Sequence, residues 1–283
     1  MTMAVTRENA VLATLKVYGI SGTRFDKGVT REVEDQHGVA DAGKFYKRIF
    51  SKEDLSDVYG LEGKARTLHC RLTSPWYDGG PRLLAAKGFD NYTKQMNEVI
   101  QQHEKAVDEF ISFLDKKIAE ARERLNSMFN EEDYPDPSSL KYRMRLQLRF
   151  DPLPDKDDFR LSLSDEINKA LMKELEERKA ELEKAALADL WDRLKEVLEH
   201  VFERLNDGDA KFRNTLTDKI NDLVTLLPTM NISNDKNLNA IIKMTEKSLA
   251  NLDPAGLRED KKFRSDKAKE TKAILDKMAN YLD

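Results

Sequence analysis

Along the first stretch of the chain, apolar and polar positions alternate strictly. Over residues 10–18, Val11, Ala13, Leu15 and Val17 fall on one face and Thr14, Lys16 and Tyr18 on the other, the period of a half-buried strand. Gly19 and Gly22 mark a turn. Thr30 to Gln36 reads as a short helix stopped at Gly38, and Phe45 to Phe50 as a second short strand. From Ser51 the period lengthens. Leu55, Val58, Leu61, Ala65, Leu68 and Leu72 recur at three- and four-residue steps, which predicts an amphipathic helix over 52–73. Ser51 is its expected N-cap, with Asp54 completing a variant of the capping box. The segment SPWYDGGPR (74–82) breaks the pattern with two Pro and two Gly.

From about 89 to 129 the chain contains no Pro or Gly. Met96, Ile100, His103, Val107, Phe110 and Leu114 step by four and three, the seam of a coiled coil, and the stripe continues through Ile118, Ala121, Leu125 and Met128. Some 40 residues at ~1.5 Å each make a rod of roughly 60 Å. Such a rod needs a partner to cover its stripe. Residues 165–206 repeat the pattern, with Ile167, Leu171, Leu175, Leu182, Ala186, Leu190, Leu194, Val197, Val201 and Leu205. Similar length and a connection of about 35 residues predict antiparallel pairing of the two.

Between them, Met144, Leu146, Leu148 and Phe150 alternate with Arg143, Arg145, Gln147 and Arg149, and Phe159, Leu161 and Leu163 alternate with Arg160 and Ser162. This predicts a β-hairpin at the tip of the helical hairpin. Beyond it come three helices: about 209–227 ending at Pro228, a second capped by Ser233/Asn234, and a third opened by Asp253-Pro254. The expected fold is therefore mainly α. A small α+β N-terminal region (1–82) precedes a long antiparallel, coiled-coil-like helical hairpin (83–207) with a β-hairpin insertion near 143–164. C-terminal helices (208–283) follow.

Composition sharpens this picture. Charged residues make up 35% of the 283, against about 25% in an average globule, which suits long helices with much solvated face. The net charge of −4 disfavours a globally basic nucleic-acid binder. A single cysteine, Cys70, fits a reducing compartment. The start MTMAVTRENA lacks a charged-then-apolar signal pattern, and no run approaches ~18 apolar residues. The expectation is a cytoplasmic protein with no membrane association.

Catalytic chemistry is hard to find. Gly38 to Lys44 has the Gly-x4-Gly-Lys spacing of a phosphate-cradling loop. It lacks the following Ser or Thr that would hold Mg²⁺, and is followed by β-like FYKRIF, so a glycine turn is the expectation. The histidines, His37, His69, His103 and His200, are too scattered for zinc, and His103 is expected to be a hydrogen-bonded core residue. No nucleophile elbow or Cys/His pairing is visible. No catalytic residue, cofactor or metal is assigned.

Binding character concentrates in Lys141, Arg143, Arg145, Arg149 and Arg160, with Tyr142 nearby. Arginines alternating on a strand face suit a phosphate backbone or a protein partner, the alternative being a solvated face or salt bridges to the acidic stretch just before it. Trp76 and Trp191 read first as packing anchors. Trp76 and Tyr77, in their Gly/Pro turn, are the second candidate partner contact.

Four segments in order, TSPWYDGGPRLL (73–84), ARERLNSMFNEEDYP (121–135), FDPLPDKDDFRLSL (150–163) and NISNDKNL…LANLDPAGLRED (231–260), resemble the phage and prophage domain of unknown function numbered 3150. The resemblance implies a phage-type protein in the host cytoplasm. It also implies partners encoded nearby: a MoxR/CobS-like AAA+ ATPase or a von Willebrand factor A protein. It supplies no catalytic motif. The leading expectation is a non-enzymatic interaction or scaffold protein, self-assembling or an adaptor to such an ATPase. A nucleic-acid accessory using the Arg-rich strand 143–149 comes second, and an enzyme of unrecognised type third.

Overall fold

The computed structural model describes residues 5–154, 165–207, 212 and 214–282. In chain order the elements are β1 (Ala10–Tyr18), β2 (Thr23–Phe25), α1 (Lys27–His37), β3 (Tyr46–Arg48), α2 (Ser56–Leu72), β4 (Arg82–Ala85), α3 (Phe89–Ser112) and α4 (Leu114–Leu125). Then follow α5 (Pro137–Arg143), β5 (Arg145–Asp151), α6 (Asp165–Asn206), α7 (Asn214–Met230), α8 (Lys236–Leu249), α9 (Pro254–Glu259) and α10 (Lys261–Leu282). The protein is mainly helical. Its strands form a three-stranded sheet of order β4-β1-β5 and a two-stranded ribbon of β2 and β3. β1 pairs antiparallel with β4, Ala10 facing Ala85, and β2 antiparallel with β3, Phe25 facing Tyr46. No helix among the described residues is long and apolar enough to cross a membrane.

Two compact units divide the chain. The first gathers 1–14, 70–92 and 149–283, and the second 15–69 and 93–148. Neither is one consecutive stretch, so the three sequence regions do not map onto them one to one.

In the first unit, α6 packs against α7 and α10, and α8 against both of those. Leu190, Leu194, Leu198, Val201 and Leu205 of α6 share one core with Ile220 and Leu227 of α7, Leu238 and Ile241 of α8, and Ile274 and Met278 of α10. A smaller core joins Leu12 of β1, Leu83 of β4, Trp76, Leu153 and Ala186. Arg193 of α6 donates to the carbonyls of Cys70, Arg71 and Thr73, and Arg82 to those of Cys70 and Thr73. Two cations thus cap the carbonyl end of α2, where the helix leaves unpaired acceptors and a partial negative charge.

The second unit has its own core. Val107 and Phe110 of α3 and Leu114 of α4 pack with Ile49, Phe50, Leu55, Val58, Leu140 and Met144. Most of the first expected rod, 89–129, falls in the second unit, and the second, 165–206, in the first. The α3–α4 stripe is buried within the second unit and the α6 stripe, from Ala186 onward, within the first. The first rod is also bent, at Phe113, although the helical ladder carries through it: Phe113 N donates to Glu109 O at 3.3 Å and Lys117 N to Phe113 O at 3.0 Å.

Local readings fared better. β1 spans the predicted residues, and Ser51 and Asp54 form the reciprocal box, Ser51 N to Asp54 Oδ2 at 2.7 Å and Asp54 N to Ser51 Oγ at 3.1 Å. Gly38 closes α1 at φ 62°, and a strand follows the Gly38–Lys44 stretch, as a glycine turn requires. β5 begins at Arg145 because Asp136-Pro137 opens a helix first, Asp136 accepting from Ser138 N at 2.8 Å. Its expected hairpin partner, 159–164, lies outside the described residues. α7 runs past Pro228 to Met230, since Leu227 and Met230 are both buried. The cap of α8 is Asp235, accepting from Leu238 N at 2.7 Å, one residue after the predicted Ser233/Asn234. The Asp253-Pro254 start holds, but the helix it opens ends at Glu259 and α10 begins separately.

One buried cation organises the strands of the second unit. Lys47 of β3 lies 2.8 Å from Asp133 and 3.3 Å from Asp26, and donates to Met128 O at 2.8 Å. Burial pulls the Lys47 ammonium down, but hydrogen bonds to Asp133 and Asp26 outweigh it and hold it above its ordinary value. Asp26, the N-cap of α1, is held low by the Val29 amide and by Lys47. Burial raises Asp54, but the bonds from Lys117 and Ser51 prevail and lower it.

A carboxylate depressed by folding contributes stability that is complete above its unfolded value, about 3.9, and disappears as pH falls through its folded value. The urea midpoint of the wild type should therefore fall steeply below about pH 4, and that of Asp26→Asn/Asp54→Asn less steeply. Parallel acid limbs would contradict these assignments.

Candidate interaction surface

In the second unit, the end of β1, the last turn of α5 and the start of β5 bring together Tyr18, Tyr142, Arg143 and Arg145. Burial of Leu140, Met144 and Leu146 fixes which way the neighbouring side chains point. Successive side chains of a strand alternate in direction, so Arg145 faces away from the core that takes Leu146, and Arg143, at the end of α5, is exposed. Tyr142, one turn along α5, is 73% exposed.

Arg145 is the centre of the group. Its guanidinium lies 4.2 Å from the Tyr18 ring centroid and 3.9 Å from that of Tyr142, and it donates to the Tyr142 carbonyl. Each ring presents a negative face to the cation. Together with Val17, Gly19 and Arg143, these residues line an open depression of about 510 Å3. The guanidinium is thus held in place while its charge remains uncompensated by any carboxylate in the lining.

The five predicted cations separate. Lys141 pairs with Asp108 at 2.7 Å, and Arg149 with Asp151 at 2.8 Å. Arg143 is exposed and makes no ion pair among the described residues. Arg160 lies outside the described residues. The continuous arginine track expected of 141–149 is therefore interrupted at both ends by carboxylates, and only Arg143 and Arg145 converge. The contribution of Tyr18 is the part the sequence concealed, since it sits 127 positions from Arg145. Its one signal was its place on the polar face of the predicted strand.

No family model, curated protein or solved structure matches the chain.

The other candidate contact resolves differently. Trp76 is 3% exposed and packs with Leu12, Leu83 and Leu153, so its ring is a packing anchor and not a contact face. Tyr77 is half-buried beneath Arg178, whose guanidinium lies 5.3 Å from its ring. Trp191 is buried too, tilted against Tyr281.

Among the described residues no three His, Cys, Asp or Glu side chains are grouped as a metal would need. A buried ionisable pair does occur in the second unit. His103 of α3 is fully buried, with its Nε2 3.9 Å from Oε1 of Glu62 on α2. Among the described residues neither ring nitrogen of His103 has a hydrogen-bond partner, and neither does Glu62 Oε1, which corrects the expectation of a hydrogen-bonded histidine. Gly19 seals the carboxylate from one side: a Cβ there would lie 2.9 Å from Glu62 Oε1. A pair enclosed this way offers a substrate no approach from that side.

Two outcomes test these descriptions. Glu62→Leu or His103→Leu alone leaves a buried polar group and should cost about 1–3 kcal/mol, whereas the double variant should unfold at or above the wild-type midpoint in urea. A double-mutant cycle of Arg145→Ala and Tyr142→Ala should return a coupling of about 0.5–1 kcal/mol. A coupling of zero would mean that the stacked arrangement contributes nothing.

Proposed function

We propose that this protein works by binding and not by chemistry, as an adaptor that holds an acidic segment of a protein partner at Tyr18, Tyr142, Arg143 and Arg145. The observation carrying the reading is Arg145 clamped between two tyrosine rings beside the unpaired Arg143. Guanidinium groups remain charged at any physiological pH and bind carboxylates through a fixed fork of donors, but they do not serve as proton-transfer groups. Stacking removes much of the freedom that a lone surface arginine loses on binding, so the site is preorganised. Aromatic and arginine side chains are also those enriched where partner proteins dock.

The segments resembling the phage family suggest which partner to try first: an AAA+ ATPase of the MoxR/CobS type, or a von Willebrand factor A protein, in the host cytoplasm. Self-assembly remains part of the same proposal. A phosphate-tracking role along 143–149 is supported less, because Lys141 and Arg149 already have carboxylate partners.

The test is a titration of a fluorescently labelled Asp/Glu-rich peptide with the full chain at low salt. Arg143→Glu/Arg145→Glu should weaken binding by about a hundredfold, the loss of two charge-assisted contacts. Equal affinity for the wild type and the double variant, or no binding by the wild type, would sink the proposal.

A further inference from the structure

A second exposed surface in the second unit has a different composition. The ribbon of β2 and β3 pairs Thr23 with Arg48, Arg24 with Lys47 and Phe25 with Tyr46. Directly opposed residues in an antiparallel pair share a face, and neighbours along each strand alternate. One face therefore carries Arg24 and Lys47, and Lys47 is the buried cation already described. The other carries Phe25, Tyr46 and Arg48, and it is exposed. Phe25 is 44% and Tyr46 55% exposed, with ring centroids 5.8 Å apart and planes inclined at 55°.

Cations bracket these rings. Pairing continues one step past the strands, Asp26 N donating to Phe45 O at 2.9 Å, which brings Lys44 and Lys27 to the end of the ribbon beyond Tyr46 and Phe25. Arg48 lies two residues from Tyr46 on the other side, and Lys44 two residues before it, roughly 13 Å apart along the strand. Lys27, Lys44 and Arg48 are exposed and make no ion pair among the described residues. Two neighbouring carboxylates are engaged elsewhere, Asp26 with Lys47 and the Val29 amide, and Glu34 with the Asp41 amide.

We infer that this ribbon face binds single-stranded nucleic acid, with bases stacked on Phe25 and Tyr46 and flanking phosphates held by Arg48, Lys44 and Lys27. The alternation of cation, aromatic pair and cation follows the alternation of phosphate, base and phosphate in an extended strand. Aromatic platforms beside unpaired cations are the chemistry by which unpaired bases are held without sequence preference. An acidic peptide would satisfy the cations equally well but would leave both rings without a role. A duplex hides its base faces in its own stack. The local charge matters here, since the chain as a whole carries −4.

The experiment is fluorescence anisotropy of the full chain with a labelled oligodeoxythymidylate, with the same-length duplex and a polyglutamate peptide as further probes. The single strand should bind most tightly, with affinity falling steeply as salt rises. Phe25→Ala/Tyr46→Ala should weaken it by about tenfold or more, and Phe25→Tyr/Tyr46→Phe, which keeps both rings, should restore it. Lys44→Glu/Arg48→Glu should abolish binding, while Arg143→Glu/Arg145→Glu should leave it in place, separating this surface from the Tyr18–Arg145 site. Failure of the single strand to bind at low salt would overturn the inference. So would unchanged affinity in the ring-deleted variant when its circular dichroism matches the wild type. Duplex binding as tight as the single strand, or polyglutamate binding equally and losing affinity with the rings, would also overturn it.

Discussion

A helix of 42 residues cannot hide its own apolar surface, and in this protein the covering of α6 decides the architecture of the first unit. From Ala186 to Leu205 the helix carries seven buried apolar residues, and α7 and α10 pack against it, with α8 resting on those two in the same core. Each fully buried leucine in that core contributes on the order of 2 kcal/mol. The sum outweighs local preferences, which is why α7 can carry Pro228 inside its last turn. Leu227 and Met230 are held in the core on either side of it, and their burial offsets the hydrogen bond to the carbonyl four residues back that proline cannot make.

The same reasoning explains what the sequence could and could not reveal. Periodicity is a property of single elements, so single elements were legible. β1 appears where Val11 to Tyr18 alternate, and the buried residues of α8, Leu238, Ile241, Ile242, Thr245 and Leu249, share one helical face by their spacing in the sequence. Caps were nearly as clear, because Ser51 and Asp253 act on amides two or three residues away. Pairing partners were not legible. An apolar stripe says that something must cover it and not what does. Two stripes of similar length invited antiparallel pairing, but each finds cover in its own unit, α3 and α4 beneath Phe50, Leu55 and Val58. Lys47 was hidden for a related reason. Nothing in KFYKRIF distinguishes a lysine that meets Asp26 and Asp133 in the interior from its exposed neighbours Lys44 and Arg48.

Charge needs the same separation between inventory and availability. Residues 141–149 are the most conspicuous run of uncompensated cations in the sequence, yet Asp108 and Asp151 reach two of them, one from a distant helix and one from the same strand. What remains is smaller and better ordered: Arg145 fixed by two rings, and Arg143 beside it. The 23–48 segment carries six Lys and Arg against five Asp and Glu. Folding removes Asp26 from the balance by tying it to Lys47, and leaves Lys27, Lys44 and Arg48 unpaired around two exposed rings that are 21 positions apart in the chain. A patch that attracts anions is therefore made as much by burying one lysine with its carboxylates as by exposing other cations. Lys47 and its two carboxylates set the charge of the ribbon as well as its geometry. Exchanging Lys47 for a neutral side chain would leave Asp26 and Asp133 without their cation and would weaken anion binding at the ribbon through charge alone, even in a variant that keeps its fold.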